Sequence, residues 1–132
     1  MSLGRKSLPK GRQIAGTVVG KSVVDIEELK PEIVERLRPL DPERVILFGS
    51  YAHGNPTEDS DIDLYVVTKD EFVPRSFREK ADLRLKVSEL LLDLGLKCPV
   101  DLIVHTRPMY RELRNVGSFF SERIFQRGVI LL

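Results

Sequence analysis

The sequence has few of the residues that build covalent cross-links and transition-metal sites. Its 132 residues include one cysteine, Cys98, and two histidines, His53 and His105. A single cysteine excludes an internal disulfide bond and is typical of a reducing cytoplasm. Neither histidine has a partner at the spacing of a zinc site, so we expect both at the surface or at a strand end. The sequence therefore predicts neither a disulfide scaffold nor a zinc centre.

Long apolar runs and an excess of one charge are also missing. No segment approaches the ~18 apolar residues of a membrane span, and the N-terminus has no hydrophobic signal-peptide region. The net charge is +1, and the basic residues are scattered among acidic ones instead of forming the basic face of a nucleic-acid-binding protein. These absences predict a cytoplasmic protein that binds no membrane and has no nucleic acid as its main partner.

Length and composition fit one globular domain. Hydrophobic residues make up 42% of the chain and charged residues 31%, which is ordinary for a soluble protein with one core. Residues 1–24 are rich in glycine and basic side chains. We expect a flexible N-terminal arm there, in which a short strand over 14–19 is an option, and a domain over 25–132.

Apolar runs of strand length recur along this domain. Strands are predicted over 45–48, 62–67 and 100–105, and residues 129–132 are expected either to add an edge strand or simply to pack. Helical patterns lie between them. The combination predicts an α/β class, α+β in stricter terms, with a small mixed sheet and helices packed mainly on one face.

Three helices are predicted from proline, glycine and periodicity signals. The first lies near 31–38 with Pro31 at its first position, although Asp25 with Glu28 could form an earlier capping box. The second runs from Pro74 to Gly95, and the third from Pro108 to the Arg127-Gly128 pair. The side chains predicted to face the core are Ile33, Val34 and Leu37, then Phe77, Ala81, Leu85, Val87, Leu91 and Leu94, then Met109, Leu113, Val116, Phe120 and Ile124.

Two carboxylates stand two positions apart at the start of the predicted strand 62–67. Because successive side chains of a strand alternate, Asp61 and Asp63 are expected on one face and Ile62 on the other. Two such charges repel each other unless a cation lies between them. Oxygen ligands favour a hard ion, so the pair predicts a Mg²⁺ site.

A glycine and a hydroxyl residue follow the predicted strand 45–48. Gly49 permits a close approach to the backbone, and Ser50 with the N–H groups of the next turn can bind phosphate oxygens. A phosphate site beside Mg²⁺ carboxylates indicates a protein that binds a nucleoside triphosphate.

The arrangement Gly49-Ser50-x10-Asp61-x-Asp63 resembles the signature of the DNA polymerase β-like nucleotidyltransferase superfamily. Within it the chain looks most similar to the minimal nucleotidyltransferases, the MNT type that is often encoded beside a HEPN-domain partner. The resemblance covers roughly residues 31–127.

The superfamily needs a third carboxylate on a neighbouring strand, and Asp101 is the candidate. In the predicted strand 100–105, apolar residues alternate to one face and Asp101 lies on the other. An unpaired aspartate is unfavourable in an apolar strand, so stability alone does not explain it. Asp59 and Asp70 are rivals in loop-like sequence.

The resemblance implies the roles of these residues. It implies two Mg²⁺ ions, one against Asp61 and Asp63 and the other shared with Asp101, and ATP whose β- and γ-phosphates are held by Gly49 and Ser50. Asp101 would also be a candidate general base. AMP would pass to a hydroxyl group, and MNT-type antitoxins modify a tyrosine of a separate HEPN toxin. The chain departs from the family at His53, where arginine is usual.

Two other functions stay open. One is an aminoglycoside-type nucleotidyltransferase, with a drug hydroxyl as acceptor. The other is a non-catalytic protein that neutralises a toxin by masking it, although a pure binding protein has no need of three clustered carboxylates.

Overall fold

The computed structural model describes residues 24–132, which are built around a four-stranded sheet. Its strands are β1 (Arg44–Phe48), β2 (Ile62–Val67), β3 (Val100–His105) and β4 (Val129–Ile130). Their order across the sheet is β3-β2-β1-β4, with β1 antiparallel to β2 and β4, and β2 parallel to β3. The predicted strands are confirmed, and the edge-strand alternative for the last residues is correct.

The first helix, α1 (Ile26–Leu37), begins after the N-cap residue Asp25 and not at Pro31. The Asp25 carboxylate accepts a hydrogen bond of 3.0 Å from the backbone N–H of Glu27, which caps the helix. Pro31 lies inside α1, where it removes one helical hydrogen bond. Packing of one apolar side against the sheet holds the helix across the proline; that side consists of Leu29, Ile33 and Leu37. A single helical turn, α2 (Ser50–His53), follows β1.

The segment predicted as one helix from Pro74 to Gly95 forms two. Helix α3 (Phe77–Ser88) begins at Ser76, and a 3₁₀ turn then leads into α4 (Leu92–Lys97), which contains Gly95. Because this turn shifts the phase of the helical stripe, the prediction is only partly correct. Val87, Leu91 and Leu94 are buried as predicted, Leu83 joins them, and Phe77, Ala81 and Leu85 are exposed.

The last predicted helix is also two helices, α5 (Arg107–Val116) and α6 (Phe119–Phe125). Gly117 separates them with a φ of 64°, and Ser118 caps α6 by accepting a hydrogen bond from the N–H of Ser121. The prediction of a continuous helix is therefore wrong. Of its stripe, Ile124 is buried, Met109, Leu113 and Phe120 are half-buried, and Val116 is exposed.

Apolar side chains fill both faces of the sheet, unequally. The larger cluster joins the sheet to α1, α2, α3 and α4. The smaller one lies under α5 and α6 and contains Ile46, Phe48, Tyr65, Val67 and Ile124. The predicted α/β class with a small mixed sheet is confirmed. Within residues 24–132, none of the helices has the length and apolar character of a membrane span. Residues 1–23 of the arm predicted over 1–24, including the optional strand over 14–19, lie outside the described residues.

Candidate active site

Two aspartates face each other across the parallel strands β2 and β3. Asp63 is the register partner of Asp101 on one side and of Phe48 on the other. Residues paired in this way point to the same face of a sheet. Asp61 lies immediately before β2. Asp63 is half-buried, whereas Asp61 and Asp101 are exposed, so the pair is open to solvent at the β3 edge of the sheet.

Gly49 allows the Asp63 carboxylate to lie against the main chain. Its φ is 78°, and a Cβ built at Gly49 would lie 2.0 Å from Oδ2 of Asp63. A residue other than glycine would be strained at this φ, and its Cβ would clash with the Asp63 carboxylate. The glycine of the motif is therefore tied to the carboxylate of the motif by direct contact.

Ser50 begins α2 directly after this glycine. The Gly49 carbonyl accepts hydrogen bonds from the N–H groups of Ala52 and His53, at 3.0 and 3.2 Å. The Ser50 hydroxyl makes no hydrogen bond within the part of the chain that the structure describes. It is thus available to a ligand. His53, at the other end of the turn, is exposed.

Tyr51 anchors the turn α2 to the protein core, a role that the sequence did not predict. Its side chain is buried, and its hydroxyl lies 3.4 Å from the backbone N of Val24 and 3.9 Å from Sγ of Cys98. Burial raises the pKa of Tyr51, which keeps the hydroxyl neutral. The contacts come from residues distant in sequence, so the local pattern carries no signal for them.

Burial and neighbouring negative charges both disfavour the ionised form of Asp63. Burial, and then the neighbouring charges of Asp101 and Asp61, raise the pKa of Asp63 to about 6, while Arg123 acts in the opposite direction. Asp101 and Asp61 therefore both act on Asp63 in the folded chain. Like charges brought together in this way favour a bound cation.

Arg123 is the second residue that the sequence analysis missed. It lies on α6, and its guanidinium carbon is 5.6 Å from the centroid of the Phe48 ring. Phe48 is the neighbour of Asp63 across the sheet. A basic residue on a late helix has no fixed spacing to the motif, so no sequence signal identifies it.

The donor chemistry of the cluster fits a hard cation, although the side chains do not enclose one. Within residues 24–132, no group of three or more His, Cys, Asp or Glu side chains is arranged to hold a metal ion. The paired Asp63 and Asp101 offer only oxygen as a ligand atom. Remaining ligands for a divalent ion would have to be phosphate oxygens and water.

The rival aspartates lie elsewhere. Asp70 lies beyond the opposite end of β2, where its carboxylate is 3.6 Å from Nζ of Lys86. Asp59 is an exposed residue of the loop before β2. Of the candidates for a third carboxylate, Asp101 is the one in register with Asp63.

A family model described as a nucleotidyltransferase domain matches residues 26–131. The chain belongs to this family. It is an enzyme of the minimal nucleotidyltransferase type, as the motif predicted. No curated protein shows significant similarity to it.

Two solved structures resemble the nucleotidyltransferase. A crystal structure of a toxin-antitoxin with AMP-PNP is 25% identical, with a TM-score of 0.51 and coverage of 78% of this chain and 72% of that chain. A proposed nucleotidyltransferase from Sulfolobus solfataricus is 27% identical, with a TM-score of 0.49 and coverage of 78% and 76%. The first of these likenesses supports the fold of the domain.

Proposed function

We propose that this nucleotidyltransferase transfers AMP from ATP to a hydroxyl group on a separate protein, a tyrosine of a HEPN-type toxin. The enzyme would then be the antitoxin of the pair. The observation that carries the proposal is the in-register pair of Asp63 and Asp101, with Gly49 in contact with Asp63. The similarity to a toxin-antitoxin structure with AMP-PNP supports a nucleotide and a protein partner.

In this proposal Gly49 and Ser50 hold the triphosphate, and Asp61, Asp63 and Asp101 hold two Mg²⁺ ions. When bound, Mg²⁺ would offset the charge of the phosphates and acidify the acceptor hydroxyl. The acceptor oxygen bonds to the α-phosphorus as the bond to pyrophosphate breaks. Asp101 would take the hydroxyl proton, since its carboxylate is exposed and in register with Asp63. Positioning and charge supply the catalysis, and no covalent enzyme intermediate is needed.

The open edge of the sheet supports a macromolecular acceptor. Asp101 is exposed on β3, and β3 has no strand on its outer side among the described residues. A hydroxyl on another protein can therefore approach Asp101 without displacing any described strand. The net charge of +1 offers little attraction to a nucleic-acid backbone.

Intact-mass spectrometry of a co-encoded HEPN-type protein tests the proposal. After incubation with the enzyme, ATP and Mg²⁺, the partner should gain one or more AMP units. Asp61→Asn, Asp63→Asn and Asp101→Ala should each reduce the rate by at least about 100-fold, the loss typical of a group that stabilises the transition state. Glu58→Gln, an exposed acidic residue outside the cluster, is the matched control.

The same assay separates the alternatives. An unmodified partner together with AMP on an aminoglycoside or on an RNA 3′ end would make the acceptor wrong while retaining the reaction. Full activity of the Asp63 variant in the presence of Mg²⁺ would contradict the proposed metal site.

A further inference from the structure

Arg123 is held at a fixed height above the sheet by the Phe48 ring. The guanidinium carbon lies 5.6 Å from the ring centroid, within the range of a cation–π contact. The ring is itself fixed, since Phe48 is buried and makes an edge-on contact with Phe120 at 6.2 Å. Arg123 is half-buried. Its position is therefore determined by packing rather than by a flexible surface rotamer.

The register of the sheet relates Arg123 to the carboxylates. Phe48, Asp63 and Asp101 are consecutive partners across β1, β2 and β3 and share one face. Neighbouring strands are about 4.8 Å apart, so Arg123 stands over the strand adjacent to Asp63. Gly49 follows Phe48 directly in the chain. The guanidinium thus lies beside the point where the phosphate-binding turn begins.

The guanidinium has no anionic partner within the described residues. The Arg123 side chain makes no hydrogen bond or ion pair there. Its positive charge acts on Asp63 by lowering the pKa of that carboxyl. By contrast, Arg107 forms ion pairs with Glu43 and Glu71. A half-buried arginine with uncommitted N–H donors is well suited to a planar, doubly hydrogen-bonded contact with phosphate oxygens.

We propose that Arg123 binds the β- and γ-phosphate oxygens of the nucleotide and follows them as pyrophosphate leaves. This inference rests on the proposed nucleotidyl transfer at Gly49 and Ser50. Phosphate held at that turn would lie between Arg123 and the carboxylates. There the guanidinium would offset the negative charge of the leaving pyrophosphate. It would do so from the side opposite to the exposed Asp101.

Ligands that differ only in their phosphates test this assignment. Arg123→Met keeps an unbranched side chain over Phe48 and removes the charge. We expect it to weaken binding of Mg²⁺·AMP-PNP and of Mg²⁺·pyrophosphate by about 10- to 100-fold, the usual cost of losing hydrogen bonds to a charged group. Binding of AMP should change less than about threefold. Arg123→Lys should lie between the wild type and the methionine variant.

Arg127→Met is the matched control, because Arg127 is an exposed arginine that closely follows Arg123 in the chain. Isothermal titration with each ligand measures the affinities, and circular dichroism checks the fold. An Arg123→Met variant that binds AMP-PNP like the wild type, or that loses AMP and AMP-PNP equally, overturns the inference alone. A wild-type protein that binds neither AMP-PNP nor pyrophosphate overturns the proposed function with it.

Discussion

At the scale of single residues, the burial of Asp63 beside two other aspartates has a cost to stability. Its pKa is raised from the ordinary value of 3.8 to about 6 in the folded chain. The folded state therefore binds a proton more tightly than the unfolded state does. Between these two pKa values the stability of the metal-free protein should fall as the pH rises, and the loss should be complete above about pH 6.

Asp63→Asn should remove this pH dependence and stabilise the metal-free protein at pH 8. We expect a rise in melting temperature of about 3–6 °C, the change that a gain of about 1 kcal/mol gives a domain of this size. Thermal melts between pH 4 and pH 8, in the presence of a chelator, make the comparison. Glu58→Gln should follow the wild-type curve. A variant that melts lower than the wild type at pH 8 would contradict the inferred cost of holding an ionised, half-buried Asp63.

The residues of the candidate site fall into those with a fixed spacing and those without. Gly49, Ser50, Asp61 and Asp63 could be predicted because the strand period and the turn constrain their separation. Asp101 could be predicted because an aspartate in an apolar strand is costly. Arg123 and Tyr51 could not, since α6 and the buried side of α2 contribute them through tertiary packing alone.

At the scale of elements, two glycines in helical segments should respond oppositely to the same substitution. Gly117 ends α5 with a φ of 64°, whereas Gly95 lies inside α4, and neither has any atom within 4 Å of an added Cβ. Gly117→Ala should destabilise the protein by about 1–2 kcal/mol, because alanine is strained in a left-handed conformation. Gly95→Ala should stabilise it by about 0.5–1 kcal/mol through helix propensity.

Urea denaturation of the two alanine variants, analysed with a common slope, gives both values. An added Cβ meets open space at both Gly95 and Gly117, so the difference in stability between the two variants reports the difference in backbone φ. Equal effects of the two substitutions would show that the break between α5 and α6 does not depend on this glycine.

Strands were predicted more accurately than helices for a physical reason. Apart from Asp63 in β2, and Asp101 and His105 in β3, the residues of these two strands are apolar or aromatic, and the predicted bounds of both agree with the structure. Helix ends depend on caps that compete with proline and with periodicity. Asp25 caps α1 six residues before Pro31, so the proline does not mark the start of that helix. The Gly117-Ser118 pair separates α5 from α6, although the apolar residues on either side of it keep a helical spacing.

At the scale of the whole molecule, metal and nucleotide should stabilise the fold together more than either does alone. The carboxylates do not enclose an ion by themselves, so Mg²⁺ without nucleotide should bind weakly. A triphosphate supplies the missing oxygen ligands, and a ligand that binds only the folded state raises its stability. At saturating AMP-PNP we expect the shift in melting temperature to exceed the sum of the separate shifts by about 2–5 °C.

Differential scanning fluorimetry with Mg²⁺, with AMP-PNP, and with both measures this coupling. Asp63→Asn should abolish the excess while leaving the shift from AMP-PNP alone nearly unchanged. Additive shifts in the wild type would mean that metal and nucleotide bind independently.

The register that joins Asp63 to Asp101 does not require a fixed length of chain between them. Their alignment is set by the ladder of β2 and β3, and not by the number of residues in α3, α4 and their connections. New side chains at the exposed positions of that segment can change the surface without displacing either carboxylate, whereas Val87, Leu91 and Leu94 are constrained by the core. The chemistry and the choice of partner can therefore evolve separately.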